Sequence, residues 1–226
     1  MTVSLEFSEA WSSTYPQAAI GLLAMGNVRN SAPSPILQAR LQSVEAEVRG
    51  RHAGQSRRDL ETLPALRAYI EHYRRFGKSY HVLLQLESVA FRGRPLAAGE
   101  SLVGAMFAAE IDTYLLTAGH DLDRLGPPLI ADVTEAGEQY VGLGGRMIEV
   151  KSGDMSIRDQ NGIISSVLYG PDERTRLTPE THSVLFTTYA PGGISHSDVE
   201  RHLREIDALV RVDSPEATTL LLRIAR

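Results

Sequence analysis

The feature that most constrains the fold is a change in hydrophobic patterning at Gly126-Pro127-Pro128. Before this point, apolar residues recur mainly at helical spacing. After it, short apolar runs alternate with Gly, Asp, Asn and Pro, a pattern typical of strands and turns. Helices gathered in one half and strands mainly in the other predict an α+β fold rather than a regularly alternating parallel sheet.

The first half of the chain is predicted to hold four helices. They cover about residues 37–50, 59–77, 82–91 and 101–116, and the last is apolar on nearly all sides, so we expect it to be buried. Asp59 is the expected N-cap of the second helix, and Gly77 its C-cap. Strands are predicted at 3–7 and 18–28, and the polar segment 51–58 is predicted to be a loop.

The second half is predicted to form strands at 129–133, 140–143, 163–169 and 184–189. A last helix is expected to begin near Ser197, where Ser197 and Glu200 match a capping box. Residues 218–224 are predicted to add a closing strand.

The composition excludes several classes of protein and site. The chain has no cysteine, which excludes disulfides, thiolate metal sites and cysteine nucleophiles. No apolar run approaches the roughly 20 residues that a membrane-spanning helix needs, and no basic segment precedes the apolar residues 20–25 as in a signal peptide. We therefore expect no membrane partner and a cytoplasmic location.

The charge is distributed unevenly along the chain. Residues 29–94 carry twelve Lys or Arg against six Asp or Glu, although the whole protein has a net charge of −5. Such a segment either binds a polyanion locally or forms solvated helix faces. The predicted nucleic-acid contacts are its most concentrated cations: Arg57, Arg58, Arg74, Arg75 and Lys78.

Three familiar motifs are absent or incomplete. Gly142-Leu143-Gly144-Gly145 lacks the spacing of a phosphate-binding loop and favours a turn between strands. The seven histidines form no HExxH or HxH arrangement, so we predict no metal site and no cofactor. Ser165-Ser166 lies near His182 and Asp172 in sequence, but the chain has no GxSxG nucleophile elbow.

The densest polar constellation follows the apolar fourth helix. It consists of Glu110, Asp112, Tyr114, Thr117, His120, Asp121 and Asp123. An acid on a buried helix is costly unless it is paired, and a carboxylate near a histidine suits acid–base chemistry. The alternative is that Glu110 faces solvent and Asp121 is a cap or turn residue.

Four stretches in order resemble the free-standing B3/B4 proteins, relatives of the editing module of the bacterial phenylalanyl-tRNA synthetase β subunit. They are Tyr69-Ile-Glu-His-Tyr-Arg-Arg-Phe-Gly77, Val103 to Leu125, Gly137 to Gly145, and Asp159 to Phe186. The resemblance covers about residues 60–190. It implies one domain over residues 1–226, with helices packed on a mixed or antiparallel sheet around a cleft, and with 1–58 and 191–226 peripheral to the matched core.

The resemblance also implies a function and a site. In the synthetase, the module hydrolyses tyrosine wrongly attached to tRNA, so a tRNA or aminoacyl-tRNA partner is expected. This sequence departs from the family at several pocket positions: Gly104 replaces Asp, Phe107 replaces Asn, Glu110 replaces Ser, Leu116 replaces Pro, Ala118 replaces His and Thr187 replaces an acid. Loss of such polar partners should change specificity, since it can alter discrimination by orders of magnitude.

The sequence therefore leads to three hypotheses. The first is an aminoacyl-tRNA deacylase acting in trans, with His120 and Glu110 as general acid/base and a pocket lined by Phe107, Thr117, Gly119, Ser166 and Thr187. The second is a non-catalytic protein that binds tRNA or an amino-acid-like small molecule. The third is a scaffold that keeps only the fold. The sequence leaves the amino acid, the tRNA and the oligomeric state open.

Overall fold

The computed structural model describes residues 3–96 and 99–226. Within these residues seven α-helices form: α1 (Glu9–Thr14), α2 (Pro35–Arg51), α3 (Arg57–Leu60), α4 (Pro64–Arg75), α5 (His81–Arg92), α6 (Ser101–Thr113) and α7 (His196–Asp213). The strands are β1 (Leu5–Phe7), β2 (Ala19–Gly26), β3 (Leu116–Asp121), β4 (Leu129–Val133), β5 (Gln139–Gly142), β6 (Arg146–Glu149), β7 (Met155–Asp159), β8 (Gly162–Ser166), β9 (Gly170–Pro171), β10 (Ser183–Ala190) and β11 (Thr218–Ala225). The predicted α+β class is confirmed.

A four-stranded antiparallel sheet, in the order β11-β2-β10-β3, lies at the centre of the fold. Every residue of β2 is buried, which explains why its sequence, Ala-Ile-Gly-Leu-Leu-Ala-Met-Gly, is apolar on both faces. Helix α7 packs on one face of this sheet, where Val199 and Leu203 lie against Gly21. Helix α6 packs against α7, α2 and α5.

A five-stranded sheet, in the order β1-β4-β7-β8-β9, forms the second layer. Its β1 is parallel to β4, and the remaining pairs are antiparallel, so the sheet is mixed. Ser8 Oγ donates to Asp132 Oδ1 at 2.6 Å and also caps α1, which fixes the N-terminal helix on this sheet. The two sheets meet where Ser165 and Tyr189 exchange a hydrogen bond of 2.7 Å between their hydroxyl oxygens.

The predicted helix over 101–116 is too long, and the predicted turn at 117–121 is wrong. Helix α6 ends at Thr113 because Tyr114 adopts a left-handed conformation, with φ of 69°, and donates its N–H to the Glu110 carbonyl. The chain then continues directly into β3, which pairs with β10 over six residues. The sequence conceals this boundary, because the short apolar stretch Tyr114-Leu115-Leu116 suits a buried strand as well as a buried helix.

The predicted helix caps at Asp59 and Ser197 are also wrong. Ser56 is the N-cap of α3, and Asp59 sits at its third position and accepts the Ser56 N–H at 2.7 Å. Helix α4 begins separately, at Pro64, and Ser195 caps α7 by accepting the Asp198 N–H at 3.1 Å. The predicted loop over 51–58 is shorter than expected, because α2 extends to Arg51 and α3 begins at Arg57.

Strands β6, β7 and β9 were not predicted, because their sequences lack a long apolar run. The remaining predicted helices and strands occur close to their expected positions. Within residues 3–96 and 99–226, no helix is both long enough and apolar enough to cross a membrane.

Candidate functional site

A cavity of about 270 Å³ lies against the outer edge of β3. Helices α5 and α6 form one side, and β8, β9 and the side chains of Leu143 and Leu177 form the other. Its walls are mainly apolar, with Val103, Met106 and Phe107 contributed by α6. Ligand pockets in proteins span about 300–1,000 Å³, so this cavity suits a small ligand, of the size of an amino acid.

Glu110 is the carboxyl among the described residues that line this cavity, whose wall also includes the titratable side chains of His81 and Tyr189. Its side chain projects from α6 with 1% exposure, and its Oε1 accepts the Thr117 N–H at 2.8 Å. Its Oε2 is buried and has no hydrogen-bond partner among the described residues. Burial raises the pKa of the carboxyl to about 8, although the Thr117 N–H opposes the shift. Glu110 is therefore largely protonated at neutral pH and can donate a proton or a hydrogen bond.

Two further polar atoms of the cavity wall lack partners within the described residues. They are Gln85 Oε1 on α5 and Ser166 Oγ at the end of β8. Buried polar atoms are normally hydrogen-bonded, so these three side chains are the ones through which the cavity wall can bind a polar group of a ligand. None of the described residues that line the cavity is Lys or Arg.

The cavity brings together five of the seven predicted pocket and catalytic residues. Phe107 and Glu110 come from α6, Thr117 and Gly119 from β3, and Ser166 from β8. Their roles stay predictions, but their proximity agrees with the expected cleft. Because β3 is an edge strand of the central sheet, it can contribute to the cavity through its backbone as well as its side chains.

His120 and Thr187 lie outside the cavity lining of the described chain. Strand alternation puts them on the same face of the central sheet, as diagonal neighbours on β3 and β10. Thr187 is fully buried, and its hydroxyl lies 3.4 Å from the Ala118 carbonyl. The pocket contact predicted for Thr187 is therefore not seen.

His120 belongs to a separate buried relay. Thr175 Oγ1 donates to Asp172 Oδ1, and His120 Nδ1 lies 2.8 Å from the same Thr175 oxygen. Since the threonine hydrogen is used, His120 Nδ1 must donate, and Nε2 is left as a buried acceptor without a partner in the described structure. Burial lowers the pKa of His120 to about 3, so the ring is neutral. Its catalytic role stays a prediction. Of the two predicted acid–base residues, Glu110 is the one that lines the cavity.

Thr117 is held by a buried network behind the cavity. His202 Nε2 and Thr188 Oγ1 lie 2.6 Å and 2.8 Å from Thr117 Oγ1. His202 Nδ1 donates to Thr113 Oγ1, whose own hydrogen goes to the Ala109 carbonyl. Burial lowers the pKa of His202 to about 3, so this ring is also neutral. The network fixes β3 against α6 and so positions the N–H that binds Glu110.

Sequence reasoning missed Gln85, Leu177 and Tyr189 as parts of the cavity wall. Gln85 carries one detectable signal, a polar side chain between the buried residues of α5. Leu177 and Tyr189 have no such signal, since an apolar residue in a loop or strand is ordinary core.

The structure divides the predicted nucleic-acid contacts into two groups. Arg74, Arg75 and Lys78 lie at the C-terminal end of α4, where Lys78 Nζ sits 4.3 Å from the centre of the Tyr169 ring. Arg57 and Arg58 belong to α3, and Arg57 is paired with Glu61 and Glu87 at 2.8 Å and 2.9 Å. The end of α4 is thus the part whose cations are less neutralised by partners in the described chain.

The other chemistries considered from sequence find no support in the described residues. No group of three or more His, Asp or Glu side chains among them is arranged to hold a metal ion. Ser165 Oγ bonds Tyr189 and not His182. The Gly142–Gly145 segment forms the turn between β5 and β6, as predicted.

No family model matches the sequence, and no curated protein matches it. Among solved structures, the chain is similar to an N-terminal fragment of the phenylalanyl-tRNA synthetase β subunit from Pyrococcus horikoshii, with 12% identity and a TM-score of 0.49. The match covers 99% of this chain and 50% of that one, so the chain spans about half the length of the fragment. These comparisons assign the chain to no family, and the resemblance to the B3/B4 proteins stays a prediction.

Proposed function

We propose that the protein hydrolyses the ester bond of a mischarged aminoacyl-tRNA, with the amino acid bound in the cavity beside Glu110. The observation that carries this proposal is the orphaned Oε2 of a buried, largely protonated carboxyl in a cavity of amino-acid size. The stretches that resemble the B3/B4 proteins support the same substrate class.

Glu110 is assigned the acid–base role. Water adds to the ester carbonyl carbon, the bond from that carbon to the ribose oxygen breaks, and the ribose oxygen takes the Glu110 proton. The proton released by the water restores the carboxyl. The products are a free amino acid and a tRNA hydroxyl. A positioned general acid contributes about 10²–10⁴-fold in rate.

A screen of tRNAs charged with each amino acid, in which the released amino acid is measured, tests the proposal. We expect wild-type turnover with one or a few amino acids, and a rate that falls as the pH rises through about 8, because Glu110 then loses its proton. Glu110→Gln keeps the Thr117 contact but cannot supply the proton, so its rate should fall about 10²–10⁴-fold.

The matched control is Glu149→Gln, at an exposed position of β6, which should leave the rate unchanged. Failure of every charged tRNA to react with the folded wild type would refute the hydrolase proposal.

A second candidate is a non-catalytic receptor for aminoacyl-tRNA or an amino-acid-like small molecule. It is favoured by the position of His120, since the second predicted acid–base group does not reach the cavity of the described structure. Binding of charged tRNA without turnover, lost when the cavity is filled by Ala118→Phe, would support the receptor.

A further inference from the structure

The free edge of β3 presents backbone groups to the cavity. The N–H groups of Thr117 and Asp121 point away from β10, because they donate to Glu110 Oε1 at 2.8 Å and to the Thr175 carbonyl at 2.7 Å. In an antiparallel ladder, alternate residues direct both backbone groups to the same side. Gly119 lies between these two residues, so its N–H must also point away from β10, at a position that lines the cavity.

The same alternation places the Thr117 carbonyl on this edge. The Thr117 C=O and the Gly119 N–H flank Ala118, which also lines the cavity. In a parallel pair of strands, the N–H and the C=O of one residue bind the C=O and the N–H that flank a single residue of the neighbouring strand. The Thr117 C=O and the Gly119 N–H have this spacing. An α-aminoacyl group has one N–H group and one C=O group in that relation.

We propose that the free edge of β3 recognises the main chain of the aminoacyl group as if it were one residue of an added strand. The α-amino N–H donates to the Thr117 carbonyl, and the acyl oxygen accepts from the Gly119 N–H. The inference rests on the proposed function for its substrate and adds the atoms that bind it. Specificity for α-amino acids then comes from the backbone, and the apolar walls select the side chain.

The acyl oxygen gains negative charge when water adds to the carbonyl carbon. A backbone N–H directed at that oxygen stabilises this charge, and loss of one such donor costs about 10²–10³-fold in turnover. Glu110 supports the arrangement, because its Oε1 already occupies the neighbouring N–H of Thr117. The Gly119 N–H is the next edge donor along the strand.

The absence of a side chain at position 119 has a local cause. A Cβ there would lie 2.8 Å from Leu177 Cδ1, the far end of a flexible side chain. Removing that end with Leu177→Ala makes room for a substituent. Two double variants then differ mainly in the N–H: Gly119→Ala with Leu177→Ala keeps it, and Gly119→Pro with Leu177→Ala removes it. Proline is tolerated on an edge strand where its nitrogen faces outward.

The experiment measures binding of the primary amides of L-phenylalanine, L-leucine and L-methionine, each beside the same amide without its α-amino group. In wild-type protein we expect at least one amino-acid amide to shift the Gly119 amide NMR signal and to bind at least tenfold more tightly than its des-amino counterpart. Both double variants carry the same Leu177→Ala change in the cavity wall, so they are compared with each other. The proline double variant should bind at least tenfold more weakly than the alanine double variant. Far-UV circular dichroism checks that the proline double variant is folded.

Equal affinity of the two folded double variants would overturn the inference, as would equal affinity for the des-amino amides or an unchanged Gly119 signal. The experiment distinguishes failure of this inference from failure of the proposed function. Edge-dependent binding without deacylation of any charged tRNA would retain the inference and remove the hydrolase. Equal deacylation rates in the two double variants would retain the hydrolase and remove the inference. If the proline variant does not fold, the wild-type preference for the α-amino group and the Gly119 signal decide.

Discussion

At the scale of single residues, the notable feature is a carboxyl that folding keeps from ionising. Glu110 is 1% exposed and has one backbone donor on Oε1, while Oε2 is buried without a partner in the described structure. Burial of a polar atom without a partner costs about 1–3 kcal/mol. A residue that lowers stability in this way is typical of a functional site.

Replacing Glu110 should change the pH dependence of stability. Its pKa is about 8 in the folded protein, above the ordinary value of 4.5. Between these values the folded state holds a proton that the unfolded state has lost, so this group's stabilising contribution is complete below about 4.5 and is lost as the pH rises towards 8. The loss should reach about 3–5 kcal/mol.

Denaturant unfolding of wild type and Glu110→Gln at intervals from pH 5 to pH 8.5 measures this effect. The variant should gain stability relative to wild type as the pH rises, whereas Glu149→Gln, at an exposed position, should show a constant difference. A constant difference for Glu110→Gln as well would mean that the carboxyl ionises normally in the folded state.

At the scale of secondary structure, the close approach of α7 to β2 depends on Gly21. A Cβ at this position would lie 2.6 Å from Val199 Cγ1 and 3.2 Å from Leu203 Cδ1. Any larger residue must therefore displace the Val199 side chain or the helix that carries it. Overpacking of this kind costs about 1–3 kcal/mol.

Gly21→Ala should lower the free energy of unfolding by about that amount, and Val199→Ala should partly relieve the clash. In a double-mutant cycle we expect the pair to be less destabilised than the sum of the single variants, by about 0.5–3 kcal/mol. Gly50→Ala is a suitable comparison, because a Cβ there meets nothing within 4 Å. If the changes in the free energy of unfolding for Gly21→Ala and Val199→Ala are strictly additive, the packing of α7 does not depend on this glycine.

The elements that sequence predicts well are those with one apolar face. Helices α2, α5 and α7 were predicted close to their bounds, because their apolar residues recur at helical spacing. The boundary between α6 and β3 could not be predicted, since both are buried and β3 does not alternate between apolar and polar residues. The cavity was predicted in part, because Glu110 was identified as an acid on a buried helix. The position of His120 could not be predicted, because it depends on the alternation of side chains along β3, and residues 117–121 were predicted to form a turn.

At the scale of the whole molecule, the predicted nucleic-acid contacts lie on, or just after, two helices that differ in how far acidic side chains neutralise their positive charge. Arg57 on α3 is paired with two glutamates, while Arg74, Arg75 and Lys78 lie together at the end of α4. If tRNA binds, the end of α4 should therefore supply more of the affinity. Each lost phosphate contact should reduce the slope of log K against log salt by about 0.7–0.9.

Arg74→Gln with Arg75→Gln should weaken tRNA binding and flatten its salt dependence by about one to two such steps. Arg57→Gln with Arg58→Gln, a change of equal charge, should do less. Binding measured between 50 and 200 mM salt compares the two pairs. A larger effect of the α3 pair would move the contact surface, and weaker binding with an unchanged slope would indicate loss of fold.

The order of strands in the central sheet has a consequence for how the protein is made. Strand β2 (Ala19–Gly26) pairs only with β10 and β11 in the described structure, and β10 begins at Ser183, about 160 residues later. At a synthesis rate of about 5–20 residues per second, its fully apolar surface waits roughly 10–30 s for a partner. During that interval β2 also lacks α7, the helix that packs on it, since α7 follows β10 in the chain, so its apolar surface is open to chaperones. Rapid translation of the middle of the gene should therefore improve the yield of folded protein.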